Sequence, residues 1–138
     1  MNTAFFKSIE TIFLLYKEKH GEEQALAFFR EFFATRLKAV YDSMGFEKGK
    51  PEDFKRVVEE NDKNLGLPVE IILEGNKIIY RFLEDPFPGL RGQVDAEKWD
   101  SCFMDFKISH ILGDWSRKVT KHLWKGDPYT EHVIEKSS

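Results

Sequence analysis

The tightest constraint on the fold lies in residues 69–82, where two runs of alternating apolar and charged residues flank the pair Gly75-Asn76. A two-residue turn of this kind joins antiparallel strands and fixes every cross-strand partner. Val69 should then face Phe82, Ile71 should face Tyr80 and Leu73 should face Ile78, while Glu70 meets Arg81 and Glu74 meets Lys77 on the other surface, around Ile72 and Ile79. Each charged pair contributes only about 0.2–1 kcal/mol. A slip of one residue would lose both pairs and turn the apolar surface outward, so the register is well specified.

An oily sheet face needs a cover, and the preceding residues supply it as helices. In residues 3–20, Phe5, Ile9, Ile12 and Tyr16 recur at helical spacing, with Phe6, Phe13 and Leu15 widening the stripe, and His20-Gly21 ends the pattern. A longer helix follows from Glu22 to about Met44, opening with Glu22, Glu23 and Gln24 where the helix dipole favours negative charge. Its apolar residues, among them Phe28, Phe29, Phe32, Phe33, Leu37 and Tyr41, cover more than one face. Either this helix is sandwiched within its own domain or part of it meets a second copy in a homodimer. A third, more polar helix starts at Pro51, carries Phe54, Val57, Val58 and Leu65, and stops at Gly66.

Residues 84–92 hold Pro86, Pro88, Gly89 and Gly92 and read as a loop crossing the fold. Asp95 can cap a helix with Trp99, Cys102, Phe103 and Phe106 at helical spacing, ending near Gly113-Asp114. Residues 117–124 and 129–135 read as a second hairpin, turning at residues 125–128. The expected architecture is a single α+β domain over residues 1–138: N-terminal helices packed on an antiparallel sheet of about four strands, formed by two hairpins with a helix between them.

Composition narrows the function classes. Lys and Arg number 21 against 24 Asp and Glu, a net charge of −3, which offers no clustered positive field for nucleic acid. The longest early apolar run, residues 12–16, is far short of the roughly 20 residues that cross a bilayer, so neither a signal peptide nor a membrane span is expected. One cysteine excludes an intramolecular disulfide and suits a reducing, cytoplasmic setting. No nucleotide-binding glycine loop, Gly-x-Ser-x-Gly elbow or His-Glu-x-x-His helix occurs, and the histidine spacing fits no zinc motif; no cofactor or metal is expected.

Chemistry is then sought in scattered candidates. Cys102 and Asp105 share one helical face, although a neighbouring carboxylate raises a thiol pKa, so Asp105 suits orientation of water or substrate better than thiol activation. His110, His122 and His132 are possible bases; a turn pairing Trp124 with Tyr129 would set His122 opposite Glu131, capable of moving a proton or of forming a plain surface ion pair. Thirteen Phe and three Trp point to a core built from flat rings, in which Phe29, Phe33, Trp99, Trp115 and Trp124, together with Glu131, are candidates to line a ligand cavity.

The C-terminal third carries a resemblance. Cys102-Phe103-Met104-Asp105, followed by Thr120-Lys121-His122-Leu123-Trp124-Lys125-Gly126-Asp127-Pro128 and an apolar strand, resembles the end of the L-2-amino-thiazoline-4-carboxylic acid hydrolase-like family, over residues 102–135. The same ending is similar to vinyl-reductase-type small-molecule-binding domains. Thr130 stands where the hydrolase-like pattern has a second cysteine, and no Cys-Pro precedes Cys102. The resemblance implies an α+β module that often dimerises, with a pocket between helices and sheet and with Cys102 and Asp105 near it. Two functions are therefore carried forward: a sensor-like domain binding a small, partly apolar molecule, and a hydrolase of a small cyclic amide or thiazoline in which Cys102, Asp105 and His122 or His110 converge.

Overall fold

The alternation in residues 69–82 folds as its pattern dictates. In the computed structural model, which describes residues 1–137, strand β1 (Val69–Glu74) pairs antiparallel with β2 (Lys77–Phe82) in the register Val69–Phe82 through Glu74–Lys77. Gly75 turns the chain with φ at +58°, a conformation that costs glycine nothing for lack of a Cβ. Arg81 meets Glu70 at 2.8 Å, as the pattern requires, whereas Lys77 reaches Glu135 on the next strand, at 3.8 Å.

Four helices precede or interrupt the sheet: α1 (Thr3–His20), α2 (Glu22–Met44), α3 (Pro51–Asn64) and α4 (Ala96–Ile111). Their starts follow from the sequence. Asn2 accepts from the Phe5 amide and Asp95 from the Lys98 amide, each satisfying a free helix N–H, and Pro51 opens α3 where no amide hydrogen is needed. Strands β3 (Trp115–Lys121) and β4 (Thr130–Lys136) join the first hairpin in one antiparallel sheet of order β1-β2-β4-β3. This is the expected α+β architecture, with helices before the sheet.

The buried face of the sheet presents Ile71, Ile78, Tyr80, Phe82, Thr130, His132 and Ile134. Helix α3 lies against β1, α4 against β3, and α2 packs on α4 and α1. The surplus of rings on α2 is thereby explained largely by sandwiching. Phe29 and Phe33 are buried, with Trp99 5.6 and 5.8 Å away between ring centres, while Phe13 meets Trp99 edge-on at 4.9 Å. Phe28 alone of the helix's phenylalanines is left well exposed, stacked on Tyr16. Such ring pairs contribute about 0.5–1.5 kcal/mol each beyond their burial.

The second hairpin departs from its expected register. A bulge between Val119 and Lys121 places Val119 opposite His132 and Lys121 opposite Glu131, and β3 ends at Lys121 instead of running on to Trp124. Side chains take the place of the ladder there: the His122 amide donates to Asp127 at 2.8 Å, the Leu123 amide to Thr130 at 3.0 Å and the Trp124 amide to the His122 ring at 3.0 Å. With its donors satisfied locally, the segment leaves the strand in a short 3-10 turn (Leu123–Lys125), and the anticipated pairing of His122 with Glu131 does not form.

No helix among the described residues is long and apolar enough to cross a membrane.

Candidate functional site

The helices do not close completely on one another. Between α1, α2, α3 and α4 lies an apolar crevice with about 80 Å³ of free space, walled by Phe5, Phe6, Phe32, Phe33, Leu37, Val40, Leu65, Leu67, Phe87 and Phe103 and touching the sheet through Phe82. It is about half the size of an engineered cavity of roughly 150 Å³ that admits benzene. Arg36, Asn61, Asp62 and Lys107 supply its only charged or amide side chains.

Two of these form a buried polar cluster at the sheet. Lys107 is 4% exposed and Asp62 1% exposed. The Lys107 Nζ donates to Tyr80 Oη at 2.9 Å and stands 3.8 Å from Asp62 Oδ1, while the Tyr80 hydroxyl donates a short hydrogen bond to Asp62 Oδ2. Rings surround the amine: Tyr80, Phe82 and Phe103 have their centres 5.1, 5.6 and 5.6 Å away. Burial pushes the Lys107 amine below its ordinary pKa against the pull of Asp62, and raises the Asp62 carboxyl even though Lys107 and Tyr80 oppose it. Burial and the field of Asp62 also raise the phenols of Tyr80 and Tyr41, and the Tyr41 hydroxyl is buried with no hydrogen-bond partner.

A second polar cluster lies where α4 meets β3 and β4, beside a narrow cleft of about 20 Å³ lined by Trp99, Asp100, His122, Trp124 and His132, among others. That is room for about one water. The hydrogen bonds fix both imidazole tautomers. His122 Nδ1 accepts from the Trp124 amide, so its Nε2 carries the proton and donates to Asp100 Oδ2 at 2.9 Å. His132 Nδ1 accepts from Arg117 at 3.4 Å, which leaves its Nε2–H directed at the same carboxylate oxygen, 3.8 Å away. Burial first, then the electrostatic influence of Arg117, His122 and Lys107, drives His132 down to about 3. Burial raises Asp100, with His122 opposing, and for Arg117 the carboxylates of Glu97 and Asp105 outweigh the cost of burial and raise it. The Trp124 indole N–H donates to Asp85 at 2.7 Å and closes the rim of the cleft. The described residues contain no group of three or more His, Cys, Asp or Glu arranged to hold a metal ion.

The candidates read from sequence are dispersed over these features. Cys102 is 1% exposed, its Sγ directed at the carbonyls of Leu26 and Lys98; burial lifts the thiol to about 11, and it lines neither the crevice nor the cleft. Asp105 is exposed and bonded to Arg117 at 3.1 Å, beside a shallow depression that also includes Trp115. His110 lies on the surface, 2.7 Å from Asp42 and stacked on Phe106. Glu131 occupies the outer sheet face, held by Arg81 and Thr120. These residues do not converge. Two residues three positions apart on one helix need not share surroundings when one faces a neighbouring helix and the other faces solvent, and the bulge in β3 turned His122 inward. Of the expected ligand-lining rings, Phe33 lines the crevice, Trp99 and Trp124 line the cleft, and Phe29 is core.

Sequence reasoning passed over Lys107, Asp62 and Tyr80. The signal was present: Lys107 interrupts the apolar row Phe103, Lys107, Ile111, and Asp62 follows Phe54 and Val58 at the same four-residue step. A charge on an apolar helical stripe marks a buried partner. Neither a comparison with protein-family models nor one with curated proteins gives a match for this chain.

Proposed function

We propose that the protein is a small-molecule-binding module whose ligand occupies the apolar crevice, with its polar end at Lys107 and its apolar part among Phe33, Leu37 and Phe103. The observation that carries this reading is a crevice that is almost entirely hydrocarbon yet ends on a buried amine and carboxyl. Ligand sites combine apolar walls with a few convergent polar groups in this way. The resemblance of residues 102–135 to small-molecule-binding sensor domains points in the same direction. The free volume restricts the ligand to a short-chain molecule, smaller than the drug-sized compounds that occupy pockets of about 300 Å³ or more. Hydrolysis of a cyclic amide or thiazoline has less support, because Cys102, Asp105 and the histidines share no position that a substrate could reach.

The test is an NMR titration of the full chain with butan-2-ol and butanamide, repeated with Leu37→Trp, which fills the crevice. Concentration-dependent, saturable shifts confined to the resonances of Phe33, Phe103 and Lys107, lost in Leu37→Trp while the circular dichroism spectrum is kept, are expected. Absence of saturable shifts at the crevice in the unmodified protein would refute the reading.

A further inference from the structure

We propose that Lys107 is a covalent capture site, condensing with a short-chain aliphatic aldehyde or ketone in the crevice to form an imine. The inference rests on the ligand-binding reading and deepens it by naming the ligand class. Four observations on the geometry carry it. The amine belongs to the wall of the apolar crevice and is itself buried. Its charge is shared with a single carboxyl, 3.8 Å away, and its one hydrogen bond goes to a phenol. Three aromatic rings, those of Tyr80, Phe82 and Phe103, have their centres 5.1 to 5.6 Å from the amine. Tyr80 Oη accepts from Nζ and donates to Asp62, so amine, phenol and carboxyl form a continuous path for protons.

A lysine attacks a carbonyl only as the neutral amine, and desolvation in an apolar pocket is a recognised way to provide it. Burial acts on Lys107 in that direction. The lone pair of Nζ attacks the carbonyl carbon, the C=O π pair moves to oxygen, and that oxygen takes a proton as one amine hydrogen departs. Loss of the second amine hydrogen then expels the hydroxyl as water and leaves a C=N bond. One amine and one carbonyl compound give one imine and one water, both water hydrogens coming from the amine, with no change of oxidation state. Tyr80 and Asp62 relay the protons.

The experiment incubates the full chain with substoichiometric butanal and sodium cyanoborohydride at neutral pH, then maps the butylated lysines by peptide mass spectrometry. Lys107 should be the principal adduct, at least tenfold over any exposed lysine, and a tenfold excess of butan-2-ol should suppress that adduct alone. Tyr80→Phe should slow its appearance several-fold. Because Lys107→Met by itself strands the Asp62 carboxyl, Asp62→Asn with Lys107→Met serves as the control, its fold checked by circular dichroism, in which the crevice adduct is gone while labelling of the exposed lysines is unchanged. If butan-2-ol perturbs the crevice while butanal labels only exposed lysines, covalent capture is overturned and the binding reading stands. If neither compound reaches the crevice, both fall.

Discussion

Replacing His132 with Gln should flatten the acid side of the protein's stability curve. The imidazole is 1% exposed, faces Arg117 from β3, Asp100 and Lys107 from α4 and His122 beyond the end of β3, and titrates at about 3 in the fold against 6.5 when free. A depressed folded pKa means that the unfolded chain binds the proton more readily between those two values, so stability is intact above pH 6.5 and falls as the solution is acidified. The gap, at 1.36 kcal/mol per pH unit, bounds the total loss at about 5 kcal/mol, of which about 2.5 kcal/mol is already lost at pH 4.5. Against an ordinary stability of about 5–15 kcal/mol this is a large fraction. Asp42, Asp53 and Glu131, whose carboxyls are held below their usual values by hydrogen bonds, also lose stability on acidification, and Asp100, raised by burial, acts with the opposite sign. The carboxyls of the first three do not touch the His132 ring and cancel in the difference, and the glutamine amide supplies a donor in place of the imidazole N–H that is directed at Asp100. Urea unfolding at pH 7.5 and 4.5 measures it: the drop in stability should be about 2.5 kcal/mol larger in the unmodified protein than in His132→Gln, a difference of about 1–2 M in midpoint. Equal drops in the two proteins would show that His132 does not resist protonation in the fold, and the description of the cleft would be wrong.

Two further outcomes follow from individual contacts. Gly89 donates its amide to Glu10 Oε2 at 2.7 Å, and a Cβ there would stand 2.7 Å from the same carboxylate, so Gly89→Ala should push the Glu10 carboxylate aside and cost about 0.5–1.5 kcal/mol, the worth of that hydrogen bond, in thermal unfolding. The cost should shrink below about 0.5 kcal/mol in a Glu10→Ala background; an equal cost in both backgrounds would refute the clash. Cys102, buried and raised to about 11 from an ordinary 9.0, should hold about a hundredfold less thiolate at pH 8 than a free thiol. Its reaction with a disulfide reagent should become fast only on adding denaturant, and rapid labelling of the native protein would refute the assigned burial.

The hairpin of residues 69–82 and the core of the sheet were legible because their causes are local. A two-residue turn and a period of two leave one register that keeps Ile71, Ile78 and Tyr80 on the covered side, and Asp95 and Pro51 mark helix starts through groups within one turn of themselves. The terminal hairpin shows where that reasoning stops. Its strand ends at Lys121 because Asp127 and Thr130 compete with the ladder for the next amides, a competition between partners that periodicity weighs equally.

The sequence alone determined which faces are apolar, where the chain turns and that helices must cover one side of an antiparallel sheet. Tertiary structure decided which polar groups meet. Lys107, Asp62 and Tyr80 come from α4, α3 and β2, 18 to 45 residues apart along the chain, and only the packing of those elements removes them together from water. The same packing separated Cys102 from Asp105, three residues apart, by burying one and exposing the other. Burial is a property of what surrounds a residue, and the surroundings of a helix face are supplied by distant segments, so a charge on an apolar stripe announces a partner without naming it.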